Sequence, residues 1–323
     1  MTDPPAPFEH DTAQAWPGAR AVWVRAADGV RLRVAHLGAG NKGTVLLVPG
    51  RTEYVEKYGG AGCELSSRGY ATVSLDYRGQ GLADRTGANR LIGRVGDFAE
   101  YQRDIDAMVA FARAADFPKP WFLLAHSLGG AIGLRALARR LPVRAAVFSA
   151  PMWGIAIATP LKPVAWGLGW AAHMARAEGW LTPGTGARHH VLTATTDDNL
   201  LTTDTEMLAL MRRQIEVCPD LELAGPSVPW LYRALVECRS LARIADPGVP
   251  TLTVIPGDER IVCTATMRRA VARWPRAAHL DVPGGRHETM METPARRTAF
   301  FDAAAAHFAT ASKSDGDLAE GVA

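Results

Sequence analysis

Six short apolar runs, each bounded by turn residues and separated by helical patterns, constrain the fold of this chain more than any other feature. They cover residues 44–48, 71–76, 121–125, 145–150, 251–255 and 279–282. Strands that are apolar along their whole length are typical of a parallel sheet with helices on both faces. The sequence therefore predicts an α/β fold. Ahead of these runs, residues 21–25 and 31–36 alternate apolar and polar residues, which predicts an antiparallel hairpin.

The alternation of strands and helices stops between residues 151 and 247, which hold five of the nine tryptophans and a helical pattern around residues 203–217. We expect a helical insertion there, in a core formed by residues 19–150 and 248–311. Residues 1–18 and 312–323 are expected to be loose termini. The residues alone leave two interpretations of the insertion open. It either packs on the sheet, as buried aromatic residues usually do, or forms a cap that lines a substrate site.

Composition and charge exclude several classes of protein. Of the 323 residues, 48% are hydrophobic and 21% are charged, which is near the average for globular domains and unlike disordered or coiled-coil chains. The 36 basic and 33 acidic residues give a net charge of only +3, so we expect no nucleic-acid partner. The basic cluster of Arg135, Arg139 and Arg140 is interpreted as a solvated helix end.

Three features bear on where the protein works. The start, MTDPPAPFEHD, lacks the basic residues and apolar run of a secretory signal. The four cysteines have neither CxxC spacing nor the density of a disulfide scaffold, so we interpret them as packing residues in a reducing compartment. Residues 151–173 are nearly uncharged, but Pro160 and Pro163 cut them well below the roughly 20 apolar residues of a spanning helix. We expect a cytoplasmic protein.

The run at residues 121–125 leads into AHSLGG at residues 125–130 and then into a helical pattern. A strand, a serine on a sharp turn and a helix, in that order, are the parts of a nucleophile elbow. Small residues on both sides of Ser127 let the two backbones approach each other, although the usual first glycine is here Ala125. The sequence predicts Ser127 as a nucleophile.

A serine nucleophile needs a histidine that takes its proton and a carboxylate that orients the histidine. His287 has the expected context, on a glycine-rich loop (PGGRHETMMETP) that follows the last apolar run. Other histidines fit this role less well. We interpret His189 and His190 as surface residues and His126 as a residue that positions the elbow.

The carboxylate and the oxyanion hole are expected on two other loops. The loop PGDERIV, after residues 251–255, offers Asp258 and Glu259, which the residues alone do not separate. An oxyanion hole needs two backbone amides. One would be that of Leu128, after the nucleophile, and the other that of Arg51, in the loop PGRTEYVEKY. We expect the Arg51 side chain to be exposed or paired locally.

Together these motifs resemble the serine hydrolase group of the α/β-hydrolase superfamily that contains monoacylglycerol lipases and bacterial lysophospholipases. The resemblance covers about residues 20–310 and includes PGRTEYVEKY, LDYRGQGLADR, LLAHSLGG, PGDERIV and PGGRHETMME, in that order. NLLTTD and PDLELAGPSVPWL in the insertion resemble cap segments of the lysophospholipase branch. The lipase branch usually starts its oxyanion loop with HG, where this chain has Pro49 and Gly50.

The resemblance implies an α/β-hydrolase fold with a triad of Ser127, Glu259 and His287. Glu259 is chosen because the three residues after it match those after the family's acid. Glutamate in place of the more usual aspartate is a departure, and Asp258 stays an alternative. The resemblance also implies a cap that lines an acyl-binding pocket, a role that the nearly uncharged residues 151–173 and their tryptophans fit.

The expected activity is hydrolysis of carboxylic esters of single-chain lipids, such as lysophospholipids or monoacylglycerols, without a metal or organic cofactor. The cap is expected to touch a membrane surface transiently. Alternatives are a small-ester or lactone hydrolase, an amidase or peptidase of the same fold, and a ligand-binding protein without turnover. Dehalogenase and epoxide hydrolase activities are not expected, because they would place an aspartate at the elbow.

Overall fold

The computed structural model describes residues 4–87, 89–195 and 198–313. Within them, nine strands form one sheet. The strands are β1 (Pro5–Ala6), β2 (Arg20–Arg25), β3 (Arg31–Gly38), β4 (Thr44–Val48), β5 (Ala71–Asp76), β6 (Trp121–His126), β7 (Ala146–Ser149), β8 (Thr251–Pro256) and β9 (Ala277–Val282). Their order across the sheet is β1-β2-β3-β5-β4-β6-β7-β8-β9. All six apolar runs and the predicted hairpin are therefore strands of a single sheet.

The sheet is antiparallel at one side and parallel through the rest. β2 pairs antiparallel with β1 and β3, and β3 pairs antiparallel with β5, whereas the pairs from β5 to β9 are parallel. Every residue of β4, β5, β6, β7 and β8 is buried. β9 differs, since it lies at the sheet edge and buries only Val282.

Helices cover both faces of the sheet, as the continuous apolar strands predict. Within the described residues they are α1 (His10–Ala13), α2 (Gly59–Ser67), α3 (Glu100–Ala114), α4 (Leu128–Ala138), α5 (Lys162–Met174), α6 (His190–Thr193), α7 (Thr205–Val217), α8 (Val228–Leu241), α9 (Thr264–Arg273) and α10 (Pro294–Lys313). Helices α3, α4, α8 and α9 pack in the apolar cluster on one face. Helices α2 and α10 pack in the cluster on the other face.

The described part of the N-terminal segment packs on the molecule, in contrast to the loose terminus that we expected. β1 pairs with β2, with Pro5 opposite Val22. Ala13 of α1 is buried, and the Thr12 carbonyl accepts a hydrogen bond of 2.8 Å from the Gln214 amide. At the other end, α10 continues through Lys313, and residues 314–323 of the expected tail lie outside the described residues.

A helical insertion containing α5–α8 separates β7 from β8. The helix predicted around residues 203–217 is α7, and the Asp204 carboxylate caps it by accepting from the amides of Glu206 and Met207. Ser227 caps α8 in the same way, by accepting from the Trp230 amide. Across the described ranges, the structure contains no helix with the length and apolar character needed to cross a bilayer.

The cysteines and the basic cluster both have ordinary surroundings in the fold. The four cysteines are free thiols, and Cys238 is buried, whereas Cys63, Cys218 and Cys263 are half-buried. In the basic cluster, Arg135 pairs with Glu237 and Arg139 pairs with Asp106. Acidic neighbours thus compensate both arginines.

Candidate active site

Ser127 stands on a sharp turn between β6 and α4. Its φ of 49° lies in the left-handed region, which costs a non-glycine residue about 1–3 kcal/mol. Three backbone hydrogen bonds hold this conformation: Ser127 donates to the Ser149 carbonyl at 3.0 Å, and its own carbonyl accepts from Gly130 at 2.9 Å and from Met152 at 2.8 Å. The turn is therefore fixed by neighbouring strands and loops.

The glycines after Ser127 are required by close backbone approach. A Cβ at Gly129 would lie 2.1 Å from the Val48 carbonyl oxygen, and one at Gly130 would lie 2.4 Å from the Pro151 Cβ. Either contact is far closer than atoms tolerate. The two glycines of the AHSLGG motif are thus required by the packing of α4 against the end of β4 and against the segment that follows β7.

His287 connects Ser127 to Glu259. Its Nε2 lies 2.9 Å from the Ser127 Oγ, and its Nδ1 lies 2.7 Å from the Glu259 Oε2. The other oxygen of Glu259 accepts from the amides of Ile261 at 2.7 Å and Val262 at 3.1 Å. Because an ionised carboxylate only accepts, Nδ1 donates to Glu259 and leaves the Nε2 lone pair facing the serine.

Glu259 is held as a carboxylate although it is buried. Burial alone would raise its pKa, but the His287 imidazole and the two amides lower the pKa below its usual value. Asp258, the alternative acid, has a side chain that is 42% exposed and pairs with Arg260 at 3.1 Å. The structure therefore brings Glu259, and not Asp258, to His287.

Of the two expected oxyanion amides, that of Leu128 directly follows Ser127 in the chain, and that of Arg51 belongs to a residue that lines the same cavity as Ser127. Among the described residues, neither the Leu128 nor the Arg51 amide has a hydrogen-bond acceptor. Our expectation for the Arg51 side chain was wrong. Its guanidinium donates to the carbonyls of Ala224 at 2.9 Å and Gly225 at 3.1 Å, which belong to the insertion, and lies 5.0 Å from the Trp230 ring.

Ser127 opens into a cavity of about 400 Å³. The insertion supplies much of the apolar wall, including Met152, Ile155, Val191, Leu200, Leu201 and Met211. One of its five tryptophans, Trp230, lines the cavity. Residues 151–173 contribute less than expected, because α5 packs on α8 through Gly169 and Tyr232 and turns Trp170, 55% exposed, to solvent.

The family model described as serine aminopeptidase, S33 (Hydrolase_4), matches residues 39–294 of this chain. The chain belongs to this family of α/β-hydrolases. It is 30% identical over 281 residues to lysophospholipase L2 of Escherichia coli K12. The match covers 83% of this chain and 80% of that protein. Ser127, His287 and the helical insertion are thus found on a serine hydrolase that is similar to a lysophospholipase.

Solved structures show the same fold at lower identity. The soluble variant of monoglyceride lipase from Saccharomyces cerevisiae superposes with a TM-score of 0.70 at 18% identity, covering 89% of this chain and 94% of that one. The monoacylglycerol lipase of Paleococcus ferrophilus gives a TM-score of 0.63 at 18% identity, covering 87% and 99%. The predicted α/β-hydrolase fold is confirmed.

Next to Ser127 and His287 lies a cluster of four buried ionisable side chains, Glu53, Lys57, His126 and Glu288, here called the buried charge cluster. The Lys57 Nζ lies 2.6 Å from Glu53 and 2.7 Å from Glu288. The His126 Nε2 lies 3.3 Å from Glu288 and 3.5 Å from Glu53. The His126 ring also packs against the His287 ring, with centroids 4.8 Å apart.

Charges within this cluster compensate one another. Burial would lower the pKa of Lys57 and of His126, but Glu288 and Glu53 raise both pKa values. Burial would raise the pKa of Glu288, but Lys57 and His126 bring it well below the usual value. Glu53, His126 and Glu288 present atoms close enough to hold a metal ion, yet the Lys57 ammonium already bridges both carboxylates.

His189 is buried, so its interpretation as a surface residue was wrong, whereas His190 is exposed. The His189 Nδ1 accepts from the Val191 amide at 3.2 Å, and the His189 Nε2 lies 3.1 Å from the Thr52 carbonyl. A neutral imidazole makes both bonds. Burial accordingly lowers the pKa of His189 to about 4, and the residue joins the insertion to the oxyanion loop.

Sequence reasoning missed Glu53, Lys57 and Glu288, although signals for them were present. Glu53 and Lys57 are spaced i,i+4 within the oxyanion loop motif, and Glu288 follows His287 directly. The three charged residues thus lie in two of the motifs that carry expected site residues. The sequence suggested His126 for positioning the elbow, and its Nδ1 lies 3.1 Å from the Ser149 carbonyl, which also fixes the Ser127 amide.

Proposed function

We propose that the protein is a carboxylic ester hydrolase that cleaves single-chain lipid esters, a lysophospholipid or a monoacylglycerol, through an acyl-enzyme on Ser127. The observation that carries this proposal is the continuous hydrogen-bond chain from Ser127 through His287 to Glu259 at a largely apolar cavity. The name of the E. coli relative, a lysophospholipase, supports the choice of lipid.

In the proposed reaction, the Ser127 Oγ attacks the ester carbonyl carbon while the His287 Nε2 takes the hydroxyl proton. Glu259 holds the imidazole in the required tautomer and stabilises its positive charge. The amides of Leu128 and Arg51 bind the oxyanion. His287 then gives the proton to the leaving alkoxide, and a water molecule activated by His287 releases the fatty acid and restores the serine.

We further propose that residues 151–247 act as a cap on a core of residues 19–150 and 248–311. Support comes from the wall of the cavity, where the insertion supplies Val191, Leu201 and Met211 and the core supplies Ser127. An aliphatic chain placed against such a wall would gain about 0.8 kcal/mol per methylene group transferred from water. The apolar wall thus favours an acyl chain over a small polar acyl group.

The cap also offers an apolar surface for contact with lipid. Leu161, Val164, Trp170, Met174 and Trp180 are each at least 55% exposed and lie on or beside α5. Large apolar side chains that are exposed on one element are typical of interaction surfaces. We propose that this face rests on a membrane from which the substrate enters.

The test is fatty-acid release from a lysophosphatidylcholine and a monoacylglycerol with the same acyl chain, with the Ser127→Ala protein as control. We expect the wild type to release the fatty acid from at least one of the two lipids. The rate of release should fall by a factor of about 10⁴ or more in Ser127→Ala. Release that persists in the variant would overturn the mechanism.

A fluorophosphonate label separates the remaining alternatives. Labelling of Ser127 without cleavage of either lipid would favour a small ester, a lactone or an amide as substrate, and peptide amides should then be tried because the family model is described as a serine aminopeptidase. Absence of labelling would favour a ligand-binding protein without turnover.

A further inference from the structure

Arg51 differs from the other cations of the cavity wall in its partners. Lys57 is bound by two carboxylates, and Arg188 pairs with Glu222 at 2.5 Å. Among the described residues, Arg51 has no carboxylate partner, and its two hydrogen bonds go to neutral carbonyls. One uncompensated positive charge therefore lines the cavity that contains Ser127.

The Arg51 guanidinium keeps donors for a ligand. It carries five N–H groups, of which two bind the insertion carbonyls. Burial lowers the pKa of Arg51 to about 10, so the group is still charged at neutral pH. A buried cation without a counter-ion is unfavourable, and an anion that enters the cavity would remove that cost.

The length of the Arg51 side chain determines how far the guanidinium lies from the reacting ester. Its backbone amide is the candidate oxyanion donor, and about five bonds of about 1.5 Å separate its Cα from the guanidinium carbon. In a lysophospholipid acylated at the end of the glycerol, a similar number of bonds separates the ester carbonyl carbon from the phosphorus. A guanidinium also matches the geometry of phosphate oxygens.

We propose that the Arg51 guanidinium binds the phosphate of a lysophospholipid whose ester lies at Ser127, and so selects phosphate-bearing esters over neutral ones. This rests on the proposed function. It assigns two roles to one residue: the amide faces the reacting carbonyl, and the side chain holds the headgroup.

A second arginine provides a matched control for a purely structural role. Arg85, in another core loop, donates to the insertion carbonyls of Glu222 at 2.6 Å and Asp220 at 2.8 Å. Like Arg51 it is largely buried and bonded to neutral acceptors, and burial lowers its pKa to about 10. Unlike Arg51 it does not line the cavity. Both arginines join the core to the insertion, but only Arg51 can reach a substrate.

The experiment compares octanoyl lysophosphatidylglycerol with 1-octanoylglycerol, both below their critical micelle concentrations, in wild type, Arg51→Gln, Arg51→Lys and Arg85→Gln. We expect Arg51→Gln to lower the ratio of kcat/KM for the phosphate ester to that for the neutral ester by roughly 10- to 100-fold, mainly through KM. Arg51→Lys should keep most of the ratio. Arg85→Gln should affect both esters alike.

The outcomes separate the two proposals. If the wild type cleaves both esters through Ser127 but Arg51→Gln leaves the ratio within about twofold, the phosphate site is wrong and the hydrolase function stands. If Arg85→Gln changes the ratio as much as Arg51→Gln does, cap docking explains the effect and the phosphate site is again wrong. If the wild type cleaves neither ester, the proposed function itself fails.

A wild-type measurement covers the case in which Arg51→Gln does not fold. Glycerol 3-phosphate should compete with 1-octanoylglycerol at a concentration at least tenfold lower than glycerol requires, and added salt should weaken this inhibition. Equal inhibition by glycerol and glycerol 3-phosphate would overturn the phosphate site.

Discussion

The sheet core and the insertion use apolar residues in opposite ways. All five residues of β4 are buried, whereas in α5, where eight of the thirteen residues are apolar, only Gly169 and Ala172 are buried. β4 lies between two strands and under helices on both faces, but α5 packs mainly on α8. Apolar composition therefore predicts burial only where neighbouring elements cover every side of a segment.

Charged residues show the same contrast. The core buries complete sets of charges, such as Arg33, whose guanidinium lies 2.7 Å from Glu56 and 2.8 Å from Asp76. In the insertion, Arg188 is 60% exposed, and the pair of Arg233 and Glu178 is only partly buried. Charged side chains of the core are thus fixed by buried partners, whereas charged side chains of the insertion remain at least partly accessible to solvent.

The largest expected effect comes from breaking a buried set in the core. Arg33→Met leaves the Glu56 and Asp76 carboxylates buried without their cation, and we expect the free energy of unfolding to fall by about 3–5 kcal/mol. Urea denaturation measures it. Arg139→Met, which removes an arginine that is 48% exposed and pairs with Asp106, should cost about 1 kcal/mol or less. Equal losses in the two variants would contradict the conclusion that the core depends on its buried sets of charges.

An intermediate effect is expected at His189, the buried histidine of the insertion. Its pKa of about 4 in the folded state lies below the usual 6.5, so the unfolded chain binds the proton first as pH falls. The stabilisation is complete above about pH 6.5 and is lost toward pH 4. Between pH 7 and pH 4.5, the wild type should lose about 2 kcal/mol more of its unfolding free energy than His189→Gln does.

Urea denaturation of both proteins at the two pH values provides this measurement. The difference between the proteins isolates His189, because other titrating groups are shared. The same pH dependence in wild type and variant would show that His189 is hydrated in solution. The insertion would then contact the oxyanion loop less closely than the structure indicates.

Local patterns in the sequence were enough to find the strands and the residues that meet at Ser127. Each buried strand leaves its own apolar run, and the elbow needs neighbouring small residues, so both signals lie within a few positions. Glu259 was harder, since Asp258 is adjacent and only the resemblance separated them. Its orientation depends on the amides of Ile261 and Val262, which sequence alone does not place.

The buried charge cluster and the contacts of Arg51 could not be predicted in this way. Lys57 and Glu288 are 231 positions apart, and Arg51 and Ala224 are 173 apart. A lone charged residue in a loop is usually solvated, which is why we expected the Arg51 side chain to be exposed or paired locally. Likewise, the apolar residues of α5 suggest a buried helix. The sequence does not show that Val164, Trp170 and Met174 are left exposed.

The smallest expected change in stability comes from the exposed face of α5. Val164 and Trp170 are 61% and 55% exposed, so the double variant Val164→Gln/Trp170→Gln should change the unfolding free energy by about 0.5 kcal/mol or less. Its binding to phosphatidylethanolamine and phosphatidylglycerol vesicles, measured by sedimentation, should nevertheless fall at least tenfold, because both side chains would enter the lipid.

Val217→Gln is the matched control, since Val217 is 54% exposed on α7, outside this face. It should leave vesicle binding unchanged. Binding of the double variant equal to that of wild type would exclude α5 as the lipid contact. A loss of 2 kcal/mol or more in its unfolding free energy would instead mean that α5 is covered in solution, as β4 is, and the difference between core and insertion would disappear.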